Sequence, residues 1–207
     1  MQWRLDLPDE LATRWLGRML AQTLSPGSIL LLNGDLGSGK TTLVQSLGQG
    51  LGITEPIVSP TFSLVSEYPE ATIPLYHFDL YRLQPEEISE LYLEIYWDGE
   101  EYPLGIVAIE WAERCPNLPS EYLQLCFSAQ NSGRQVDFVA VGAAHQQSLQ
   151  QLMAAYAQTS PEAHLAPHSA PHPASHPTTP SAPVALTPLP APAATPSAAL
   201  GPLGGDR

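Results

Sequence analysis

Lysine occurs once in these 207 residues, at Lys40, and seven arginines are the only other permanently cationic side chains. Against 21 aspartates and glutamates the formal net charge is −13. Such a surface argues against direct binding to a nucleic-acid backbone, where affinity comes mostly from Lys and Arg neutralising phosphates. It is compatible with docking on a basic protein, and equally with acidity that only keeps the chain soluble. Cysteine is almost as scarce. Cys115 and Cys126 make neither a metal-ligand spacing nor a C-x-x-C redox pair. Cys126, inside an apolar strand-like run, reads as a small core residue. No charged segment followed by an apolar stretch opens the chain, which speaks against a secretory leader. No apolar run reaches the ~20 residues that span a bilayer. The expectation is a cytoplasmic protein with no membrane role.

The single lysine falls inside Gly34-Asp35-Leu36-Gly37-Ser38-Gly39-Lys40-Thr41, the G-x-x-x-x-G-K-[ST] pattern of a phosphate-binding loop. Its context is the required one. The apolar run Ile29-Leu30-Leu31-Leu32 reads as a buried parallel strand ahead of the loop. Thr42-Leu43-Val44-Gln45-Ser46-Leu47 behind it carries apolar residues at helical spacing and closes at Gly50 or Gly52. Glycines without Cβ atoms let backbone N–H groups and the helix N-terminus face an anion. Lys40 is expected at the β- and γ-phosphates of a nucleotide and the Thr41 hydroxyl on Mg²⁺.

Upstream, Pro8-Asp9-Glu10 followed by Leu11, Trp15, Leu16, Met19 and Leu20 predicts an amphipathic helix, with Pro8 in its first turn and both acids at the positive end of its dipole. The order at this end is then helix, strand, loop, helix. Downstream, Ser59-Pro60-Thr61-Phe62 leads into an alternating strand over Ser63–Tyr68. Thr61 fits either a loop that senses γ-phosphate or Mg²⁺, or a plain Ser/Thr turn. Pro74–Leu83 is strand-like, with Asp79 near its end. A helix is expected after Gln84-Pro85, carrying Ile88, Leu91 and Ile95 inward. Its surroundings hold Glu86, Glu87, Glu90, Glu94, Asp98, Glu100 and Glu101, which form either a solvated face or a docking surface. Leu104–Ile109 is a second fully apolar strand and ends in Glu110 and Trp111. That is the Walker-B pattern, a carboxylate at the edge where open α/β sheets bind ligands, able to hold Mg²⁺. Tyr122–Phe127 and Gln135–Val141 read as two strands joined by a turn at Asn131-Ser132-Gly133, both antiparallel additions to the sheet. His145–Ala157 reads as a closing helix.

From Thr159 the composition changes. The tail holds 12 of the 22 prolines and no aromatic residue. Such a segment buries too little apolar surface to offset its ordering, and its prolines work against helix and sheet. The predicted organisation is one domain over residues 1–157 and a disordered or partly polyproline-like tail over 158–207. His164, His168, His172 and His176 recur at four-residue spacing, but prolines interrupt any helical face.

Taken together the motifs resemble the bacterial TsaE family, over residues 4–142 or so. The resemblance rests on Leu-Pro-Asp-Glu at 7–10, Gly-Asp-Leu-Gly-Ser-Gly-Lys-Thr-Thr at 34–42 and Ser-Pro-Thr-Phe-Ser-Leu-Val at 59–65. It continues with His-Phe-Asp-Leu-Tyr-Arg-Leu at 77–83, Ile-Glu-Trp-Ala-Glu-Arg at 109–114 and Gly-Arg at 133–134. It implies an α/β, three-layer P-loop NTPase fold whose mainly parallel sheet is extended by antiparallel strands. It implies a slow, Mg²⁺-dependent ATPase that binds the TsaD–TsaB pair and supports threonylcarbamoylation of adenosine 37 in tRNAs decoding ANN codons, meeting tRNA only through that pair. By position it implies that Gly34, Asp35, Leu36, Gly37, Ser38, Gly39, Lys40, Thr41 and Thr42 cradle phosphate, and that Thr41 and Glu110 hold Mg²⁺. Lys40, Asp79 and Glu110 would carry catalysis, Thr61 would belong to a switch loop, and Trp111, Glu10 and Arg134 would approach the nucleotide. The tail departs from the family pattern. A small-molecule kinase is the alternative, disfavoured because no Arg-rich lid is seen. A GTPase is disfavoured because neither an Asp-x-x-Gly switch nor an Asn-Lys-x-Asp guanine motif is found. A nucleotide-gated adaptor in which hydrolysis is incidental stays open.

Overall fold

The computed structural model describes residues 1–130, 133–158 and 186–188. Its first element is one that the sequence reading passed over. Trp3, Leu5 and Leu7 alternate with polar residues, and Gln2–Leu7 forms strand β1. Helix α1 then runs Glu10–Thr23, capped by Asp9, whose Oδ1 accepts from the Ala12 N–H at 2.8 Å. Pro8 therefore lies before the cap and not in the first turn. Leu11 is exposed, while Ala12, Trp15, Leu16, Met19 and Leu20 form the buried stripe.

The remaining elements are strand β2 (Ile29–Asn33), helix α2 (Lys40–Gly50), strands β3 (Val65–Tyr68) and β4 (Leu75–Asp79), helix α3 (Pro85–Ser89), strands β5 (Ile106–Glu110), β6 (Tyr122–Ala129) and β7 (Arg134–Val141), helix α4 (Ala143–Gln158) and strand β8 (Leu186–Pro188). They build one sheet in the order β3-β4-β5-β2-β6-β7-β1-β8. β4, β5, β2 and β6 are mutually parallel, and the other neighbours pair antiparallel. The expected α/β architecture stands, with one correction. β6 runs antiparallel to β7 but parallel to β2, so it belongs to the parallel core and is not an antiparallel addition.

The apolar runs are continuous because both faces of the sheet are covered. Leu30 and Leu32 pack with Trp15, Leu16, Leu43, Leu47 and Leu152 on the α1/α2/α4 face, while Ile29 and Leu31 pack with Tyr76, Phe78, Leu80 and Tyr96 on the other. A Cβ on Gly17 would come 2.5 Å from the Leu43 carbonyl oxygen, so glycine there lets α1 lie tight against α2.

The second face is not covered by the long helix expected after Pro85. α3 stops at Ser89, Tyr92 turns left-handed at φ 47°, and a 3₁₀ turn follows over Leu93–Tyr96. Leu93 and Tyr96 are buried, and Leu91 and Ile95, expected inward, pack half-buried against the same cluster. The cause is an aromatic cluster. Tyr96 packs 5.1 Å from Tyr76, 5.0 Å from Phe78 and 4.4 Å from Tyr102, ring centroid to centroid, and donates through its hydroxyl to Glu67 at 2.9 Å. These contacts outweigh helical periodicity.

Cys126 is only half-buried, on the opposite face of β6 from Leu125 and Phe127. Most of the tail, with its four evenly spaced histidines, lies outside the described residues. Its described part, Leu186–Pro188, adds a short strand beside Trp3–Leu5 of β1. Proline is tolerated there because the strand is at the sheet edge. No helix of the described residues is long and apolar enough to cross a membrane.

Candidate functional site

The site forms where β2, β4 and β5 end and α2 begins. Gly34, Gly37 and Gly39 take left-handed or related positive φ values of 134°, 75° and 109°. A side chain at Gly34 would strike the Phe127 carbonyl, its Cβ lying 2.6 Å from that oxygen, so the loop needs glycine both for conformation and for room. Asp35 and Leu36 face solvent at the rim, and Leu36 is 81% exposed. The Ser38 N–H donates to the Asp35 carbonyl at 3.1 Å and tightens the turn. Ser38 Oγ is buried with no hydrogen-bond partner among the described residues. Thr42 sits half-buried in the first turn of α2.

Lys40 is 4% exposed. Its Nζ donates to the carbonyls of Gly34 at 2.6 Å and Asp35 at 3.0 Å and lies 4.1 Å from the centroid of the Trp111 ring. Burial pushes its pKa down, and the nearby charges of Glu110, Glu113, Asp79 and Asp35 oppose that shift. Trp111 holds this position from a left-handed turn at φ 61° just after β5, with its N–H bonded to the Leu32 carbonyl at 2.9 Å.

Thr41 and Glu110 meet directly. The Thr41 hydroxyl lies 2.8 Å from Glu110 Oε1 and 3.0 Å from Oε2. Parallel pairing places Asp79 of β4 in register with Glu110 of β5, and both carboxylates are 3% exposed. Asp79 Oδ2 accepts from Ser59 Oγ and from Thr61 Oγ1, the latter at 2.8 Å, while Oδ1 accepts from the Tyr81 N–H at 2.9 Å. Thr61 thus ties its loop to the end of β4. The neighbouring Phe62 is 82% exposed, with the Arg82 guanidinium 3.9 Å from its ring centroid.

Arg134, the first residue of β7, reaches the loop as well. A Cβ on Gly39 would stand 3.3 Å from Arg134 Nε, and Arg134 Nη1 donates to Thr13 Oγ1 at 3.4 Å. Glu10 opens α1. Its carboxylate is 55% exposed and pairs with Arg14 at 2.7 Å, one turn along α1.

Two further polar residues belong to the site and were not singled out from sequence, Ser59 and His77. His77 is fully buried, with Nε2 2.9 Å from Glu110 Oε1. A signal for it existed. Strand alternation puts His77 on the same face as Asp79.

These residues suit a nucleotide polyphosphate with a hard divalent cation. The loop offers glycine backbone, a buried amine and an orphaned hydroxyl, the donor set of a phosphate cradle. Two buried carboxylates face one buried lysine, which leaves a local negative charge for a cation to balance. Hydroxyl and carboxylate oxygens are the donors Mg²⁺ prefers. Among the described residues no group of three His, Cys, Asp or Glu could hold a metal alone. Mg²⁺ here would take its other ligands from phosphate and water.

Comparison with known proteins covers the same stretch of chain. The family model described as "Threonylcarbamoyl adenosine biosynthesis protein TsaE" matches residues 7–136. A protein of Nostoc sp. is 58% identical over 130 residues, covering 63% of this chain and 80% of its own. One of Synechocystis sp. is 62% identical over 115 residues, covering 56% and 73%. One of Bacillus subtilis is 39% identical over 144 residues, covering 69% and 87%. All three are described as "tRNA threonylcarbamoyladenosine biosynthesis protein TsaE". The crystal structure of Bacillus subtilis YdiB is similar with a TM-score of 0.56 and 31% identity, covering 75% of this chain and 95% of that one. The stretch matched by the family model runs from the end of β1 into β7 and contains each of the residues placed above from Glu10 to Arg134.

Proposed function

The chain belongs to the TsaE family, and from that premise we propose that it is a Mg²⁺-dependent ATP hydrolase serving threonylcarbamoyladenosine synthesis in tRNA, in the cytoplasm. The observation that carries the chemistry is the contact of Thr41 with Glu110 at the mouth of the phosphate loop, beside Lys40 and in register with Asp79.

Catalysis of phosphoryl transfer is mostly positioning and charge neutralisation. The loop N–H groups and Lys40 bind the polyphosphate, and Lys40 offsets negative charge growing between the β- and γ-phosphates. Thr41 and Glu110 hold Mg²⁺, which supplies further neutralisation when bound. Asp79 is the acid placed to orient the attacking water. Its oxygens are engaged by Ser59, Thr61 and the Tyr81 N–H, so the loop carrying Ser59 and Thr61 controls how freely Asp79 can accept from a water. Arg134 stands against the loop glycine Gly39 and, with Arg82, is a candidate for the cation in cis at a transition state. So few such groups fit a slow enzyme that a partner accelerates.

The partner in this reading is the TsaD–TsaB pair, which the family resemblance implies. The test is ATP turnover by the purified chain, alone and with that pair, with Lys40→Ala as control. Weak turnover that rises with the pair and vanishes in Lys40→Ala is expected. Turnover indifferent to the pair would remove the partnership, and turnover surviving in Lys40→Ala would remove the site.

A further inference from the structure

Glu110 is not held by Thr41 alone. His77 reaches it from the neighbouring strand, with Nε2 2.9 Å from Oε1. We propose that His77 is a positioning residue for the cation-binding carboxylate: its ring N–H engages Oε1, fixes the plane of the Glu110 carboxylate, and leaves Oε2 as the oxygen that serves a divalent cation. This inference rests on the reading of Thr41 and Glu110 as Mg²⁺ ligands.

The direction of the bond follows from the donors present. The single Thr41 hydroxyl hydrogen is shared between the two oxygens of Glu110, so the carboxylate is the acceptor and the ring nitrogen facing it carries the hydrogen. Oε1 then has His77 at 2.9 Å and the nearer share of the Thr41 hydroxyl at 2.8 Å, whereas Oε2 has only the longer share of that hydroxyl, at 3.0 Å. The lone pairs of Oε2 are the less used. Register makes the reach possible. His77 stands opposite Ala108, two residues before Glu110 on the same face of β5, and the methyl side chain of Ala108 leaves room for the ring.

Space filling does not account for a histidine here. Residue 77 is fully buried, and Nδ1 has no hydrogen-bond partner among the described residues. An orphaned buried nitrogen is destabilising. A phenylalanine would fill similar volume without that cost and would lack only the bond to Glu110. Hydrogen-bonding partners that orient metal ligands do this kind of work, and their loss typically weakens metal affinity about 10- to 100-fold.

The test measures Mn²⁺ binding to the ADP-loaded full chain by EPR of the free ion, for the native sequence, His77→Phe and His77→Gln. ADP affinity in EDTA is measured in parallel. His77→Phe is expected to bind ADP without metal as the native chain does, and to bind Mn²⁺ about 10- to 100-fold more weakly. His77→Gln, whose amide N–H can reach the same oxygen, is expected to restore most of that affinity. If His77→Phe does not fold, His77→Asn replaces it with the same expectation, because its shorter amide cannot span to Oε1. Native Mn²⁺ affinity in His77→Phe would overturn the inference and leave the Thr41–Glu110 site standing. Failure of His77→Gln to improve on His77→Phe would also overturn it, by showing that the ring matters only for packing. Absence of Mn²⁺ binding in the native, ADP-loaded chain would remove the cation site itself and the inference with it.

Discussion

Asp79 accepts from three groups, none of which belongs to the phosphate loop. Removing its carboxylate therefore frees Ser59, Thr61 and the Tyr81 N–H but leaves the bonds of Lys40 and Thr41 as they are. Asp79→Ala is expected to keep ATP affinity within a few-fold and to lower single-turnover hydrolysis by about 100-fold or more, the scale of a lost acid or base. Full retained hydrolysis would take Asp79 out of the mechanism. Asp79, Lys40, Thr41 and Glu110 were legible in the sequence because each ends or begins an element with a strong local pattern. Ser59 and His77 were not. The role of His77 depends on pairing β4 with β5, so that His77 meets Ala108 and Asp79 meets Glu110, and register between distant strands is not written in either strand alone; that of Ser59 depends on its loop folding back onto the end of β4. Glu10, named by resemblance, pairs with Arg14 on the surface of α1.

At the scale of elements, the long apolar strands were readable because burial on both faces leaves no alternation to misread. β1 was missed although Trp3, Leu5 and Leu7 alternate. The length of α3 was overread because aromatic packing around Tyr96 ends the helical path. The direction of β6 against β2 is a tertiary choice that its hairpin with β7 does not determine. One coupling between elements has a pH signature. His145 of α4 accepts through Nε2 from the Ile29 N–H at 3.1 Å, which anchors the start of β2. Burial pushes the His145 pKa down, opposed by the charge of Glu121. A histidine held below its usual value stabilises the fold fully above the unfolded value of about 6.5, and that contribution is lost as pH falls from there through the folded value. The urea midpoint of the native chain is therefore expected to fall between pH 7.5 and 5.5. His145→Gln, with an amide oxygen to accept from Ile29 and no titration, is expected to flatten that slope. Equal slopes in both proteins would show that other groups carry the acid sensitivity.

For the whole molecule, the tail and the charge distribution matter most. β8 adds at the edge beyond β1, whereas Asp79 and Glu110 of the candidate site end β4 and β5, on the other side of β2 and β6, and Lys40 and Thr41 open α2. Deleting residues 159–207 is expected to leave basal ATP turnover within two-fold and to speed amide exchange in the β1 stretch Trp3–Leu5, which β8 pairs. A large loss of turnover would mean that the tail reaches the site. The charge of −13 is concentrated in part around α3 and the 3₁₀ turn, where Glu86, Glu87, Glu90, Glu94, Asp98, Glu100 and Glu101 are all exposed. Exposed like charges without partners contribute little to stability, but they steer association with a surface of opposite sign. If this face meets the partner pair, reversing it should slow encounter without touching hydrolysis. Glu87 is a poor choice for reversal, because its carboxylate accepts from the Gln84 N–H at 2.7 Å and caps α3. The carboxylates of Glu86, Glu90 and Glu94 accept no such bond among the described residues. The triple change of these three to Lys is expected to keep basal turnover, to raise the concentration of the pair needed for half-maximal stimulation about ten-fold or more, and to weaken the salt dependence of that stimulation. Stimulation unchanged in both respects would assign the acidic face to solvent alone, and the docking surface would have to be sought nearer the exposed Leu36 and Phe62 at the rim of the site.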